Sequence, residues 1–322
     1  MNTLNSVEEA IIHVNETKSS GIFNNNFKDL YEFINKYKKN DNRILLSIIM
    51  PMFNEEHTIV SVLEELPKGP LIEIIVVDDH STDNSVKEIE RINKQNEIKV
   101  IHHQRNKGYG AAIITGIKNA KGKVIVTMDS DGQHSPYDIL TMVKPIFENE
   151  ADYTIGSRYL GSYFYQLPVS TRLGELFVQI LIQLFFGKRI LNNQNGFRAF
   201  NRKVIHIFDD VKYEGYAFCT EQIIKATLEG LRIKECPIRV YEREFGSSNI
   251  ILNKLALNLF SLSLQYLLKG LKMTAIKRVS PSKVNIYEKE VKRSKIYSSL
   301  NRGQEFKAMN PVFFIETSTF NR

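Results

Sequence analysis

The apolar residues of this chain fall into two alternating patterns from residue 45 onward. Continuous runs rich in β-branched side chains occupy 45–50, 72–77, 98–101 and 124–128, and a polar loop follows each. Between them, 55–66, 85–93, 111–120 and 137–147 carry apolar positions at helical spacing. Short strands that are apolar at every position are buried on both faces, as in a parallel sheet covered by helices on either side. The expected fold class is therefore α/β: a Rossmann-like, mostly parallel sheet with helices on both faces. Ser135-Pro136 supplies a capping hydroxyl and a proline suited to the first turn of the helix that follows.

Outside this alternation the chain changes character. Residues 1–44 are polar and rich in Asn and Lys, with helical spacing around 27–37, and read as an N-terminal accessory segment. The α/β domain is expected over 45–250. Residues 251–272 read as an amphipathic helix, suited to a membrane interface or to packing within the protein. Residues 255–268 carry no charge, yet this stretch is shorter than the roughly 20 residues that span a bilayer. The net charge is +7, and 273–322 alone hold ten Lys/Arg against four Glu, so the basicity belongs to a tail and not to the body. Such a tail suits an anionic membrane or a nucleic acid, or is simply a solvated extension, disordered in part. The two cysteines, Cys219 and Cys236, form no CxxC pair or disulfide framework, which fits a reducing compartment. The first residues lack a basic stretch followed by an apolar one, so no secretory leader is expected.

In sheets of this kind ligands bind beyond the carboxyl ends of the strands, so the loops after each run are where chemistry is sought. Three of them are rich in polar and acidic groups: 51–56, 78–83 and 129–134. Asp129 and Asp131 flank a single residue, Ser130, and two such carboxylates can approach one Mg²⁺ or Mn²⁺ shared with phosphate oxygens. Taken alone, Asp131-Gly132 is equally a turn motif. Asp78 and Asp79 end another strand, where a carboxylate can accept from a base N–H, and Asn54 and Glu55 end the first. Gly108, in Gly108-Tyr109-Gly110, marks a tight turn beside Lys107 that lets backbone approach a ligand; Ile113 replaces the third glycine of a dinucleotide fingerprint. No phosphate-loop pattern is present.

These residues carry a family resemblance. The stretches SIIMPMFNEE, IIVVDDHSTD, RNKGYGAA, VTMDSDGQH and TIGSRY resemble the family-2 glycosyltransferases with the GT-A fold. The match continues through NQNGFRAFNRKV, EGYAFCTEQIIKATLEGLRIKECPI and RVYEREFGSSN, and is nearest to the dolichyl-phosphate or polyprenyl-phosphate mannose and glucose synthases. The resemblance implies inverting transfer from GDP-mannose or UDP-glucose, helped by Mg²⁺ or Mn²⁺. It implies nucleotide-sugar contacts from Pro51, Asn54, Glu55, Asp78, Asp79, Lys107, Gly108 and Ser130. It implies metal and diphosphate binding at Asp129, Asp131 and Gln133, with Asp131 catalytic. Arg158, Arg172, Arg198 and Arg243 would face phosphates of donor or acceptor, since a planar guanidinium matches phosphate oxygens in pairs. Where the family shows Asp-x-x-Ser-Gly-Phe-Arg this chain has Asn192 and Asn195, and Asn249 stands where a lysine often follows Gly-x-Ser.

The acceptor decides whether a base is needed. A hydroxyl requires one, and Glu221 is the candidate, though it equally reads as an ordinary carboxylate beginning a helix. A phosphomonoester does not, because its second pKa of about 6 leaves it largely dianionic at neutral pH. A polyprenyl-phosphate acceptor predicts peripheral contact at the cytoplasmic membrane face, for which 173–186 offers apolar residues at helical spacing; packing into the core or a dimer is the alternative. Three rivals stand beside this reading. One is a GT-A enzyme with a protein or glycan hydroxyl acceptor. A processive polysaccharide synthase fits poorly, because the chain contains no tryptophan for a QxxRW motif. A non-enzymatic basic nucleic-acid-binding protein would not crowd carboxylates at three strand ends.

Overall fold

The computed structural model describes residues 27–39, 43–94, 97–212, 215, 217–243, 261–262 and 264–268. The expected strands form as β1 (Leu46–Met52), β2 (Ile72–Asp78), β3 (Ile98–His102) and β4 (Val124–Thr127). All four run parallel, and Ile49 of β1 is flanked by Ile75 and Thr127. Every residue of β1 is buried, as a strand covered on both faces must be. Successive side chains alternate between two cores. Ile48 and Met50 face one layer and Ile49 faces the other.

Helices supply both layers. On the first side lie α2 (Ile59–Glu64), α3 (Ser85–Ile92) and α5 (Ile139–Phe147); on the second lies α4 (Tyr109–Asn119). At Gly116 of α4 a Cβ would overlap the Ile49 side chain, so only glycine lets the helix sit this close to β1. Two helices start later than their spacing suggests. Residues 55–58 form a turn whose backbone bonds to the loop after β2, and α2 begins only at Ile59. Pro136 opens a 3₁₀ turn ahead of α5, but Ser135 makes no capping bond.

The polar N-terminal stretch contributes α1 (Lys28–Asn35) to the first core through Leu30, Phe33 and Ile34. Phe33 meets Phe147 edge-on at 5.9 Å, and the Tyr31 hydroxyl donates to Lys68 O at 2.8 Å.

The second half of the sheet is less regular. The strand order is β3-β2-β1-β4-β6-β5-β7. Here β5 is Tyr153–Tyr163, β6 is Arg198–Asn201 and β7 is Ile233–Val240. β6 is antiparallel to both β4 and β5, while β7 runs parallel to β5 past an irregularity between Ser157 and Ser162. Pro237 is tolerated because β7 is an edge strand. Between β5 and β6 lies α6 (Val169–Phe186), closed by Gly187 in the left-handed conformation (φ 68°). After β6 come a 3₁₀ turn (Arg202–Phe208) and α7 (Phe218–Leu228). Residues 261–262 and 264–268 are helical, and Leu262 and Tyr266 are buried in the second core. Residues 1–26, the tail 273–322, most of 251–272 and Asn249 lie outside the described residues.

Candidate active site

The carboxyl ends of β1, β2 and β4 meet at one edge of the sheet. Pro51 fits inside β1 because the β4 ladder ends at Ile49, leaving no partner for the N–H it lacks. Its carbonyl instead accepts the buried Ser130 hydroxyl at 2.8 Å. Asn54 adopts positive φ (57°), and its side-chain oxygen accepts Thr82 N–H at 2.8 Å. Glu55 N–H donates to Ser85 Oγ at 2.7 Å, so the loops after β1 and β2 are stitched together.

Asp78 and Asp79 are buried and serve this scaffold. Asp78 accepts Ser81 N–H at 2.9 Å. Asp79 accepts Lys107 N–H at 2.8 Å and Gly108 N–H at 2.7 Å, and lies 2.7 Å from His103 Nδ1. Gly108 has φ 94°, a conformation glycine adopts without strain, and it launches α4. Sequence reasoning gives these two aspartates to the nucleotide; the geometry gives them first to the turns that shape its surroundings. The Lys107 side chain is exposed.

Three carboxylates gather just beyond. Asp129 Oδ1 is buried and has no hydrogen-bond partner. The Tyr109 hydroxyl bonds to the same carboxylate, and His134 Nδ1 lies 3.7 Å from Oδ2. Asp131 accepts Gln133 N–H at 3.1 Å. Glu55 takes Thr58 Oγ1 at 3.1 Å and the Arg243 guanidinium at 2.5 Å. Arg243 Nε also lies 3.9 Å from Asp131 and makes no hydrogen bond. Burial raises the carboxyl pKa of Glu55, Asp129 and Asp131, and the Asp129 charge adds to the rise at Asp131. Burial also lowers His134 to about 4, so its ring is neutral at pH 7.

The cluster is anionic even with Arg243 beside it, which suits a divalent cation. Two carboxylates are the donor set that Mg²⁺ or Mn²⁺ takes when phosphates and water complete its shell. The unpartnered Asp129 Oδ1 fits that use. Among the described residues no group of three His, Cys, Asp or Glu side chains could by itself hold a metal. Gln133, expected as a third ligand, donates its amide N–H to Tyr241 O at 3.2 Å and so ties the loop to the end of β7.

Residues 47–208 match the family model described as Glycosyl transferase family 2. The chain belongs to this family. It is 32% identical over 220 residues to the UDP-N-acetylglucosamine–dolichyl-phosphate N-acetylglucosaminyltransferase of Methanococcus voltae, covering 63% of this chain and 88% of that protein. It is 36% identical over 118 residues to the dolichol-phosphate mannosyltransferase of Pyrococcus furiosus, covering 36% of this chain and 33% of that one. Among solved structures, glucosyl-3-phosphoglycerate synthase from Mycobacterium tuberculosis, in complex with Mn²⁺, UDP-glucose and phosphoglyceric acid, superposes with a TM-score of 0.56. At 20% identity over 70% of this chain and 80% of that one, the likeness establishes the GT-A fold.

Within the family-2 glycosyltransferase, the remaining expected residues divide sharply. Arg243 joins the carboxylate cluster. Arg158 is mostly buried on β5, 3.7 Å from Glu175 and bonded to the Tyr165 hydroxyl, and Arg172 is exposed on α6. Arg198 is 2% exposed and belongs to the scaffold: its donors go to Asn195 O and Cys219 O at 2.8 Å and to Asn193 O and the Tyr153 hydroxyl at 2.9 Å. With those donors engaged internally it is not placed to grip a phosphate. Glu221 is likewise internal: fully buried, it accepts Lys212 N–H at 3.0 Å and the Tyr266 hydroxyl at 2.7 Å.

Sequence reasoning passes over Tyr109, His134 and Gly196, which surround Asp129. A tyrosine between two glycines at a helix start was the visible signal, and it reads there only as a turn. Asn192 and Asn195, where the family shows Asp and Ser, are both buried. Asn195 Oδ1 accepts Phe197 N–H at 2.6 Å, and its side chain also bonds to His134.

Proposed function

We propose that this glycosyltransferase moves a hexose from a nucleotide sugar, GDP-mannose or a UDP-sugar such as UDP-glucose, to a polyprenyl or dolichyl phosphate, with inversion and with Mg²⁺ or Mn²⁺. The buried, unpartnered Asp129 Oδ1 beside Asp131 carries this reading, because a desolvated carboxylate oxygen without a donor is costly unless a cation completes it. Asp129 and Asp131 would hold the metal, which when bound neutralises the diphosphate leaving group. Arg243 stands beside them as a second positive group for phosphate oxygens.

The acceptor follows from the base. Glu221, the candidate for activating a hydroxyl, is buried and occupied. An acceptor phosphate arrives already charged, so it needs only alignment. The names of the two dolichyl-phosphate relatives point to the same class.

An acceptor of that kind lies in a bilayer, and α6 presents a face to match. Val169, Leu173, Leu176, Phe177, Ile180 and Leu184 are all exposed, at spacings that put them on one side of the helix. Glu175, its one acidic residue, is buried, while Arg172, Lys188 and Arg189 are exposed around it. Apolar faces flanked by cations bind anionic interfaces. The contact we assign is peripheral, at the cytoplasmic face; among the described residues no helix is long and apolar enough to cross a membrane.

The test is to incubate the purified protein with Mn²⁺, polyprenyl phosphate and radiolabelled GDP-mannose, UDP-glucose or UDP-N-acetylglucosamine. Label should enter the organic phase with one donor, and both EDTA and Asp131→Ala should abolish it. EDTA-insensitive transfer would refute the metal role, and label found only on a hydroxyl acceptor would refute the lipid phosphate.

A further inference from the structure

Gly196 lies in the loop before β6, directly against the Asp129 carboxylate. A Cβ built on it would sit 2.5 Å from Asp129 Oδ2 and 2.5 Å from the Tyr109 hydroxyl, and closer still to Oδ1. Its φ lies outside the left-handed region, so the backbone conformation does not demand glycine there. What demands it is space for the carboxylate.

The loop cannot yield that space. Thr127 Oγ1, two residues before Asp129 on the same segment, donates to Gly196 O at 2.8 Å. Arg198 Nε holds Asn195 O at 2.8 Å, Asn195 Oδ1 holds Phe197 N–H at 2.6 Å, and Gly156 N–H holds Phe197 O at 2.9 Å. The residues on either side of Gly196 are thus fixed to β4, β5 and the buried guanidinium. An added methyl would displace the movable groups, which are the Asp129 carboxylate and the Tyr109 ring.

We propose that Gly196 and Tyr109 are positioning residues for the metal ligand. Gly196 leaves the volume that the Asp129 carboxylate occupies, and the Tyr109 hydroxyl beside it holds that carboxylate in its orientation. The inference rests on the metal reading above and adds to it the two groups that place the ligand. Partners of this kind commonly change metal affinity by about 10–100-fold when altered.

Mn²⁺ binding, followed by electron paramagnetic resonance with GDP or UDP present, tests this without any turnover. Gly196→Ala should weaken Mn²⁺ affinity by about tenfold or more in protein that is folded at the assay temperature. A merely structural glycine would lower the melting temperature and leave the affinity of the folded protein preserved, and that result overturns the proposal. Tyr109→Phe removes one oxygen and adds no volume, so it serves even if Gly196→Ala fails to fold. It should weaken Mn²⁺ several-fold, on the order of the lower end of that range, and unchanged affinity would overturn the proposal. Wild-type protein that binds no Mn²⁺ would remove the metal reading and this inference together, whereas wild-type binding matched by both variants would remove this inference alone.

Discussion

Replacing Arg198 should damage the fold before it touches the reaction. The guanidinium is fully enclosed and supplies donors to three carbonyls, of Asn193, Asn195 and Cys219, and to the Tyr153 hydroxyl. Arg198→Met keeps much of the volume but leaves all four acceptors without that donor. The Tyr153 hydroxyl keeps its bond to Gln222, so at about 1–3 kcal/mol for each of the three carbonyls the low end of the range gives roughly 3 kcal/mol, partly offset because a charge no longer has to be buried. Arg198→Lys brings three donors on one nitrogen for four acceptors, so at least one acceptor loses its partner and the expected cost is about 1–3 kcal/mol. Against a typical stability of about 5–15 kcal/mol, either change shifts a urea melt by a large fraction of its midpoint. The decisive comparison is between that melt and the kinetic constants of Arg198→Lys. A loss under about 1 kcal/mol, together with a raised KM for the acceptor, would refute the scaffold role and restore a phosphate contact.

Other predictions concern the site and the surface. Glu221→Gln should lower stability and leave kcat within about tenfold, because a lost general base typically removes about 10²–10⁴; a fall of that size in steady-state assays would return Glu221 to the chemistry. Because burial raises the carboxyls of Asp129 and Asp131, protons compete for these ligands at higher pH than usual. Mn²⁺ affinity by calorimetry should therefore fall as pH is lowered, starting at a higher pH than for an exposed pair of carboxylates, and a flat profile would contradict the assignment. The same raised values contribute stability to the metal-free fold at low pH that is lost as pH rises through them, so Mn²⁺ should raise the melting temperature most at neutral pH. Leu176→Glu on α6 should reduce flotation with anionic liposomes while leaving the melt unchanged, since the side chain is 46% exposed; undiminished flotation would dismiss that face.

The first half of the sheet was legible because strands buried on both faces leave uninterrupted β-branched runs, and β1, β2, β3 and β4 all do. The second half hides its pattern. β6 is four residues long, β7 is an exposed edge interrupted by Pro237, and β5 mixes Gly, Ser and Tyr across an irregular pairing. The acidic loops were legible as a set, but the direction each side chain takes was not. Asp78 and Asp79 look like ligands and turn inward to hold backbone N–H groups. Arg198 and Glu221 are charged residues that a sequence reading places near solvent and substrate, yet each finds enough internal partners to be buried. Gly196 could not be singled out at all, since its importance lies in the atoms opposite it and not in its own conformation.

The reversed direction of β6 has a consequence for which end of the strand meets the acidic cluster. Because β6 enters the sheet antiparallel to β4, its beginning, and not its end, arrives beside Asp129. Everything between β5 and β6, including α6, is therefore an excursion that leaves and rejoins the sheet without passing through the four parallel strands. The excursion still returns to the acidic cluster at its far end, where Gly196 lies against the Asp129 carboxylate. Within that excursion the exposed positions of α6, such as Leu173, Leu176 and Leu184, can change without touching the core, whereas Val178, Ile182 and Glu175 cannot.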